Sequence, residues 1–422
     1  MRFVLSSYGT RGDIEPSVVV GRELVRRGHD VQIAVPPDLV DFAQAAGLST
    51  VPFGLDTRTW LDMYRNLWTS LLGRFWRVRE LRRLWREMWE LSDQNWMDIS
   101  TTLMSLVGGA DVLFTGQSYE GSAANVAEYF DVPFVTLHHA PQRANSKTVS
   151  ILPAPMARLS MAMFDWLAWG LNKKVEDAQR QAIGLPKAKA HPVRRMTDLG
   201  TLEIQAYDEA CFPGLAAEWA EWDGLRPFVG ALTMELTAEA DDEVMAWIGD
   251  GPPPIFFGFG SMPVESPAAA IAMIAESCAE LGKRALIGAG WSDFSDVPHF
   301  DHVRVVGSVN YASVFPACCA VVHHGGSGTT AASLRAGVPT LILSMDVNQK
   351  LWGAQLKRLK VGTTRPFAKT GRQTLIGDLR RILEPGYATR ARELAARMTP
   401  PAQSVVKAAD AMESFARSRH RA

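Results

Sequence analysis

The sequence predicts an α/β protein built from two doubly wound, parallel-sheet domains. Three observations carry that expectation. Short apolar runs alternate with helical stretches in both halves of the chain. Between Phe3 and Val35 the order is strand, Gly-rich turn, helix, strand, a βαβ unit whose crossover must be right-handed. The two alternating series are parted near residues 225–250, where Pro227, Gly230, the acidic run Glu239–Glu243 and Gly249–Pro254 cluster. At roughly 100–200 residues per domain, a chain of 422 residues fits two domains. The expected boundaries are 1–235, 236–400 and a closing helical segment, 401–422, that packs back on the first domain.

In the first half, Phe3–Ser7 is a buried parallel strand followed by the turn Gly9-Thr10-Arg11-Gly12-Asp13. The next helix carries Pro16 in its first turn and stops at Gly28. Val31–Val35 is the second strand, ended by Pro36-Pro37. Asp111–Thr115 and Pro133–His138 are strands separated by the helical stretch Tyr119–Tyr129, and Gly200–Ala206 is another. The second series begins after Pro252-Pro253-Pro254 with the strand Ile255–Phe259, a helix over Pro267–Leu281 and the strand Arg284–Gly288. Strands at Val303–Val306 and Ala320–His323 follow, then a helix from about Gly328 to Ala336. The strand Pro339–Leu343 and a helix over Gln349–Leu359 complete it. Two such sheets place a ligand cleft outside the carboxyl ends of their strands.

Composition narrows the function classes. The 44 Lys+Arg against 45 Asp+Glu give a net charge of −1, which argues against a dedicated nucleic-acid binder. Cys211, Cys278, Cys318 and Cys319 have no C-x-x-C spacing, so neither a disulfide framework nor a zinc site is indicated, and a cytoplasmic location fits. The first apolar run is too short for a signal peptide, and no run reaches the ~18 apolar residues of a spanning helix.

The sharpest motif is Val321-Val322-His323-His324-Gly325-Gly326-Ser327-Gly328-Thr329-Thr330. An apolar strand here runs into three glycines and a helix start, which brings backbone N–H groups and a positive dipole end close to a ligand. Ser327 and Thr329 add hydroxyls, and a His at the strand end can donate to a phosphate oxygen. This reads as a diphosphate cradle without a Walker lysine, which argues against P-loop NTPase chemistry; the alternative is an ordinary tight strand-to-helix turn with glycines for packing. The dinucleotide fingerprint fails as well: the first turn is G-T-R-G-D, and Asp30 precedes the second strand instead of following it.

HHGGSGTT, the N-terminal SSYGTRGDIEP, FFGFGSMP and the later LSMDVNQKLWG together resemble family 1 glycosyltransferases of the GT-B fold. Bacterial enzymes acting on glycopeptide antibiotics and mycobacterial glycopeptidolipids are the most similar in appearance. The resemblance implies two Rossmann-like domains facing across a cleft. It implies an inverting enzyme that transfers a hexose or deoxyhexose from a nucleotide-diphosphate sugar. The C-terminal domain would bind the donor and the N-terminal domain the acceptor. His323 would contact the diphosphate, with Gly326, Ser327, Gly328 and Thr329 supplying backbone and hydroxyl donors. Ser261 would touch phosphate or ribose, Trp291 would lie against the nucleobase, and Val309 would meet the base edge through its backbone. Trp352-Gly353 sets the register of the sugar-reading pair, placing Gln349 at the family's Gln and Asn348 where Asp is usual. Asp346 either substitutes for that acid nearby or caps the loop. The rival readings are an epimerase acting on the same donor and a non-catalytic sugar-nucleotide-binding partner of a true transferase.

Asp13, just past the first strand, matches the family's base position beside Gly12, and a carboxylate there can take the acceptor's proton. The alternative is that Asp13 simply N-caps a helix starting at Ile14. No metal or other cofactor is required, because the helix dipole and His323 would do a divalent ion's work. His138-His139, at a strand end, is read as a hydrogen-bonded pair on the acceptor side.

Trp60–Trp96 holds six of the 13 Trp and seven Arg. Leu67, Leu71, Phe75, Val78, Leu81, Trp85, Trp89 and Trp96 fall on one helical stripe, which packing on the domain explains. Trp68 and Trp76 lie off it among Arg79, Arg82, Arg83 and Arg86, a pattern suited to peripheral membrane contact at the inner face and to an amphiphilic, lipid-linked acceptor. Ile151–Leu171 is a second apolar stretch, either an acceptor groove or ordinary core.

Overall fold

The computed structural model describes residues 1–59, 78–149, 151–234, 241–258, 267–289 and 299–419, with the backbone alone for 78–82. The chain forms two compact units. The first comprises Met1–Ala206, Gly214–Leu232 and the segment from Ala402 onward; the second comprises Tyr207–Pro213 and Thr233–Pro401.

Among the described residues the first unit holds a six-stranded parallel sheet of β1 (Arg2–Ser6), β2 (Asp30–Val35), β3 (Ser49–Pro52), β4 (Val112–Gly116), β5 (Phe134–His138) and β6 (Leu202–Gln205) in the order β3-β2-β1-β4-β5-β6. The second unit's strands are β7 (Ile255–Gly258), β8 (Ala285–Gly288), β9 (Val303–Val306), β10 (Ala320–His323), β11 (Thr340–Ser344) and β12 (Gly362–Pro366), ordered β9-β8-β7-β10-β11-β12. Both sheets therefore wind outward from their first strand in the same way, reversing direction between β1 and β4 and between β7 and β10. The central strands are buried on both faces, which is why they read as continuous apolar runs. In the first unit Val4, Ala34 and Leu113 pack against Ile99 and Leu103 of the Val78–Leu106 helix and against Ala123 and Ala127 of the Glu120–Phe130 helix. In the second, Ile255, Phe257, Val322 and Leu341 pack against Ile271 and Ile274 on one face, while Phe256, Leu286 and Val321 meet Val314 and Phe315 on the other.

Strands β3 and β12 escape the sequence reading. They are edge strands, Ser-Thr-Val-Pro and Gly-Thr-Thr-Arg-Pro, whose half-exposed residues carry no apolar run. The first helix also differs from expectation. It starts at Arg11, three residues ahead of Ile14, so Pro16 lies beyond the first turn.

The Tyr207 and Phe212 rings meet the Trp352 ring, the latter at 5.3 Å, and the Gln355 side-chain amide donates to the Cys211 carbonyl. The last helix, Pro401–Arg419, buries Ala408, Met412 and Phe415 in the first unit. Arg27 pairs with Asp410 at 2.6 Å, His29 meets Glu413 at 2.8 Å, and Arg419 donates to the Leu199 and Gly200 carbonyls.

Of the Trp-rich stretch, residues 60–77, including Trp68 and Trp76, lie outside the described residues. In the remainder Trp96 is buried and donates to Gln179 at 2.8 Å, Trp89 is half-buried, and Trp85 is 41% exposed, its ring stacked on Trp89. Among the described residues of the expected packing stripe, Trp96 reaches the core and Trp85 does not. Ile151–Leu171 is not core: Leu159, Phe164 and Leu171 are 68%, 70% and 67% exposed on the Ala154–Ala182 helix.

Candidate functional site

In the second unit the backbone leaves β10 at His323 and turns through Gly325 and Gly326 into the Ser327–Arg335 helix. Gly325 sits at φ +101°, and a Cβ there would meet the Ile342 Cγ2 at 2.7 Å, so only glycine makes this turn. The Gly325 N–H donates to His323 Nδ1 at 2.9 Å. A neutral ring held this way carries its proton on Nε2. Burial, with His324 alongside, keeps the His323 pKa well below its ordinary value, so the ring is neutral. Its Nε2 is buried and has no hydrogen-bond partner among the described residues. The first intrahelical bond runs from the Thr330 N–H to the Gly326 carbonyl, which leaves the N–H groups of Ser327, Gly328 and Thr329 at the helix head. An orphan imidazole N–H and three helix-head N–H groups on one turn, at the carboxyl end of a strand beside the sheet's reversal point, fit an anionic diphosphate.

Asp346 N-caps the Val347–Leu359 helix. Its Oδ1 accepts from the Gln349 N–H at 2.9 Å, while Gln349 Oε1 accepts from the Met345 N–H at 2.6 Å and the Asp346 N–H at 3.3 Å. This reciprocal cap buries Gln349 and leaves Asn348 exposed. Asp346 also acts electrostatically on His324, where burial pushes the ring pKa down and Asp346 and the Gly258 backbone oppose it. Val309 is half-buried in the loop after β9 and packs on the second unit's core. Ser261 and Trp291 lie outside the described residues.

In the first unit Asp13 occupies the third position of its helix. Its Oδ2 accepts from the Thr10 N–H at 2.8 Å and the Thr10 hydroxyl at 3.0 Å, and Ser7 Oγ donates to the Asp13 carbonyl at 2.9 Å. The N-cap is Thr10, not Asp13; Asp13 closes the capping box from inside the helix, which explains the early helix start. Gly9, at φ +140°, leaves room for this, since a Cβ would come within 2.4 Å of Asp13 Oδ2. Gly12 is exposed at the helix start. This turn follows β1, the strand at the first sheet's own reversal point.

His138 ends β5, two strands from β1. It is fully buried, and its Nε2 lies 2.5 Å from Glu120 Oε1. Glu120 also accepts from Arg143 at 3.1 Å, Arg143 pairs with Glu203 at 2.5 Å, and Arg226 pairs with Glu203 at 2.6 Å. Burial opposes ionisation of Glu120, but Arg143 and His138 overcome it and hold the pKa at about 2. His139 is buried with no partner for Nε2 among the described residues; burial, then the neighbouring His138, lowers its pKa to about 4. The expected hydrogen-bonded His138-His139 pair is therefore divided, since His138 bonds Glu120 while His139 Nε2 has no partner among the described residues. The sequence reading did not find Glu120, Arg143, Glu203 or Arg226, which come from four separate places in the chain.

A model of the glycosyltransferase family 28 N-terminal domain matches residues 3–98, and one of the erythromycin biosynthesis protein CIII-like C-terminal domain matches 275–412. An uncharacterized glycosyltransferase of Mycobacterium leprae is 53% identical over 420 residues, covering 99% of this chain and 97% of the relative. One of Mycobacterium tuberculosis is also 53% identical, covering 99% of each. A sterol 3-beta-glucosyltransferase of Arabidopsis thaliana is 25% identical over 94% of this chain and 65% of its own length. Among solved structures, the kitacinnamycin glycosyltransferase superposes with a TM-score of 0.72 at 18% identity, over 98% of each chain. The calicheamicin glycosyltransferase gives 0.69 at 18% identity, also over 98% of each. The glycosyltransferase VinC, solved with dTDP, gives 0.64 at 16% identity over 100% of each. With half its residues shared with glycosyltransferases along almost its whole length, and with the two sheets those enzymes have, this chain belongs to the family 1 glycosyltransferases of the GT-B fold.

Proposed function

We propose that the chain is an inverting transferase that moves a hexose or deoxyhexose from a nucleoside-diphosphate sugar to a hydroxyl of an amphiphilic, lipid-linked acceptor. The observation that carries this reading is the buried, unpartnered Nε2–H of neutral His323 beside the head of the Ser327–Arg335 helix. As the bond from the sugar C1 to the diphosphate breaks, the leaving oxygens gain negative charge. A fixed N–H and a helix dipole stabilise that charge without reorganising. No divalent ion or other cofactor enters this reading. On the acceptor side Asp13, oriented by Thr10, takes the hydroxyl proton as the new C1–O bond forms. His139, a neutral buried imidazole on the same sheet, is the acceptor-side group that would orient that hydroxyl.

Thymidine diphosphate is the proposed donor nucleotide, a choice supported by the dTDP in the VinC structure. The amphiphilic acceptor is supported by the sterol-glucosylating relative and by the Trp- and Arg-rich stretch, which suits work at the inner membrane face. The test is a panel of nucleoside-diphosphate sugars, scored first by thermal shift and then by transfer or slow donor hydrolysis. A bound nucleotide raises the unfolding temperature by mass action. No shift and no turnover with any donor would sink the proposal.

A further inference from the structure

We infer that Tyr8 and Asn95 form a second recognition point for the acceptor, holding an uncharged oxygen of that molecule among aromatic rings beside the Gly9–Asp13 turn. The inference rests on the transferase reading and deepens it: the acceptor carries a ring and a second oxygen besides the hydroxyl that receives the sugar. Tyr8 follows the carboxyl end of β1 and adjoins Gly9, whose open Cα face admits the Asp13 carboxylate. Tyr8 is 5% exposed and Asn95 is fully buried, yet Tyr8 Oη and Asn95 Nδ2 have no hydrogen-bond partner among the described residues. The two are neighbours, since Asn95 acts on the phenol. The other end of the Asn95 amide is engaged: its Oδ1 accepts from the Leu55 N–H at 2.7 Å. Gly54, at φ +66°, permits that approach, because a Cβ there would lie 2.5 Å from the same oxygen. Thr57 in turn donates to the Gly9 carbonyl at 2.9 Å, so one short loop is tied both to Asn95 and to the turn that carries Asp13. Asn95 Nδ2 can only donate, and the Tyr8 hydroxyl can donate beside it. Buried donors left unpaired in the free protein regain a partner when a ligand oxygen enters between them.

The surroundings select the ligand. The Tyr8 ring meets Phe53 edge-on at 6.2 Å and Tyr119 at 5.2 Å, and Tyr119 meets Trp96 at 6.0 Å, so the walls suit a ring body. Tyr119 is half-buried, follows β4 and stands at φ +60°, a left-handed conformation that side chains disfavour, at the sheet edge where ligands bind. Burial, then Tyr119, Asp38 and Asp56, push the phenol pKa up, so the hydroxyl keeps its proton. An anionic group would meet the same two acids. A hydroxyl, ether or carbonyl oxygen fits; a carboxylate or phosphate does not.

The test is titration calorimetry with 2-naphthol, with 2,7-dihydroxynaphthalene, which adds a second oxygen, and with 6-hydroxy-2-naphthoate, which adds a carboxylate. Wild type should bind the diol about tenfold or more tighter than 2-naphthol, and the carboxylate no tighter than 2-naphthol. Tyr8→Phe should bring diol and 2-naphthol within about twofold of each other. Its melting temperature should stay level or rise, because the change deletes an unpaired hydroxyl instead of a bond. Asn95→Asp, which keeps an oxygen for the Leu55 N–H, should erase the preference as well. Equal binding of diol and 2-naphthol by wild type, or binding of neither, overturns the inference and leaves the two groups to a buried water. A preference that survives Tyr8→Phe overturns it too, as does a carboxylate favoured over the diol. Sugar transfer to the same probes separates the two readings. Transfer with no preference for the diol sinks the recognition point alone; a preference with neither transfer nor donor hydrolysis sinks the transferase and leaves a ring-alcohol site.

Discussion

Asp13 combines a helix cap and a proposed base in one carboxylate, and substitution can separate them. Asp13→Asn keeps an oxygen for the two Thr10 donors, so the melting temperature should move little, whereas Asp13→Ala should cost about 0.5–2 kcal/mol of stability. Turnover should fall about two to four orders of magnitude in Asp13→Asn, with nucleotide affinity nearly unchanged. Full activity in that variant would leave Asp13 a cap and move the search for the base to His139. His323→Ala should instead weaken nucleoside-diphosphate binding itself by about ten- to a hundredfold, read by titration calorimetry. The buried imidazoles also set a pH dependence. In the unfolded chain His139 protonates below about pH 6.5, but in the native state only near 4, so the unfolded state binds more protons in that window. Stability is therefore fully present above about pH 6.5 and falls as pH drops toward 4, with His323 acting in the same direction. Denaturant midpoints should decline over that window, and His139→Gln should flatten the decline; an unchanged slope would contradict the burial argument. At this scale the two glycine turns were legible because each is a continuous run of sequence. The Glu120–His138–Arg143–Glu203 chain was not, since its links join residues 18, 23 and 60 positions apart.

The elements carry a prediction of their own. Gly325→Ala puts a Cβ into Ile342 and into a positive φ, so it should cost about 1–3 kcal/mol and detach the His323 ring from the turn that orients it. Both the melting temperature and nucleotide binding should drop; a variant with unchanged binding would show that the turn does not build the phosphate site. Helices and central strands announced themselves by periodicity and by unbroken apolar runs. The edge strands β3 and β12 did not, because Ser-Thr-Val-Pro and Gly-Thr-Thr-Arg-Pro are mostly polar or partly exposed and their pairing comes only from a neighbouring strand. The Val78–Leu106 helix shows the opposite limit: its periodicity was clear, yet a stripe does not say how far along its length a partner lies, and Trp85 stands exposed where Trp96 is buried.

For the whole molecule, the alternating pattern was enough to foresee two parallel sheets, but not that both would share one strand order, which depends on long-range pairing. The closing helix yields a further expectation. Ending the chain at Pro401 would strip Ala408, Met412, Phe415, the Arg27–Asp410 ion pair and the His29–Glu413 hydrogen bond from the first unit. Calorimetry should show a loss of several kcal/mol, on the order of two or three buried side chains; an unaltered profile would mean the helix is dispensable. That helix also constrains how such genes can be shuffled. The second unit is spliced into the first as an insert, so a hybrid made by a single crossover near residue 232 would inherit a foreign closing helix for its own first sheet. A viable exchange needs two crossovers, near 232 and 401, and must bring along the distant Tyr207–Pro213 segment or a match for it, because its aromatic rings fit the Trp352 of the unit being moved.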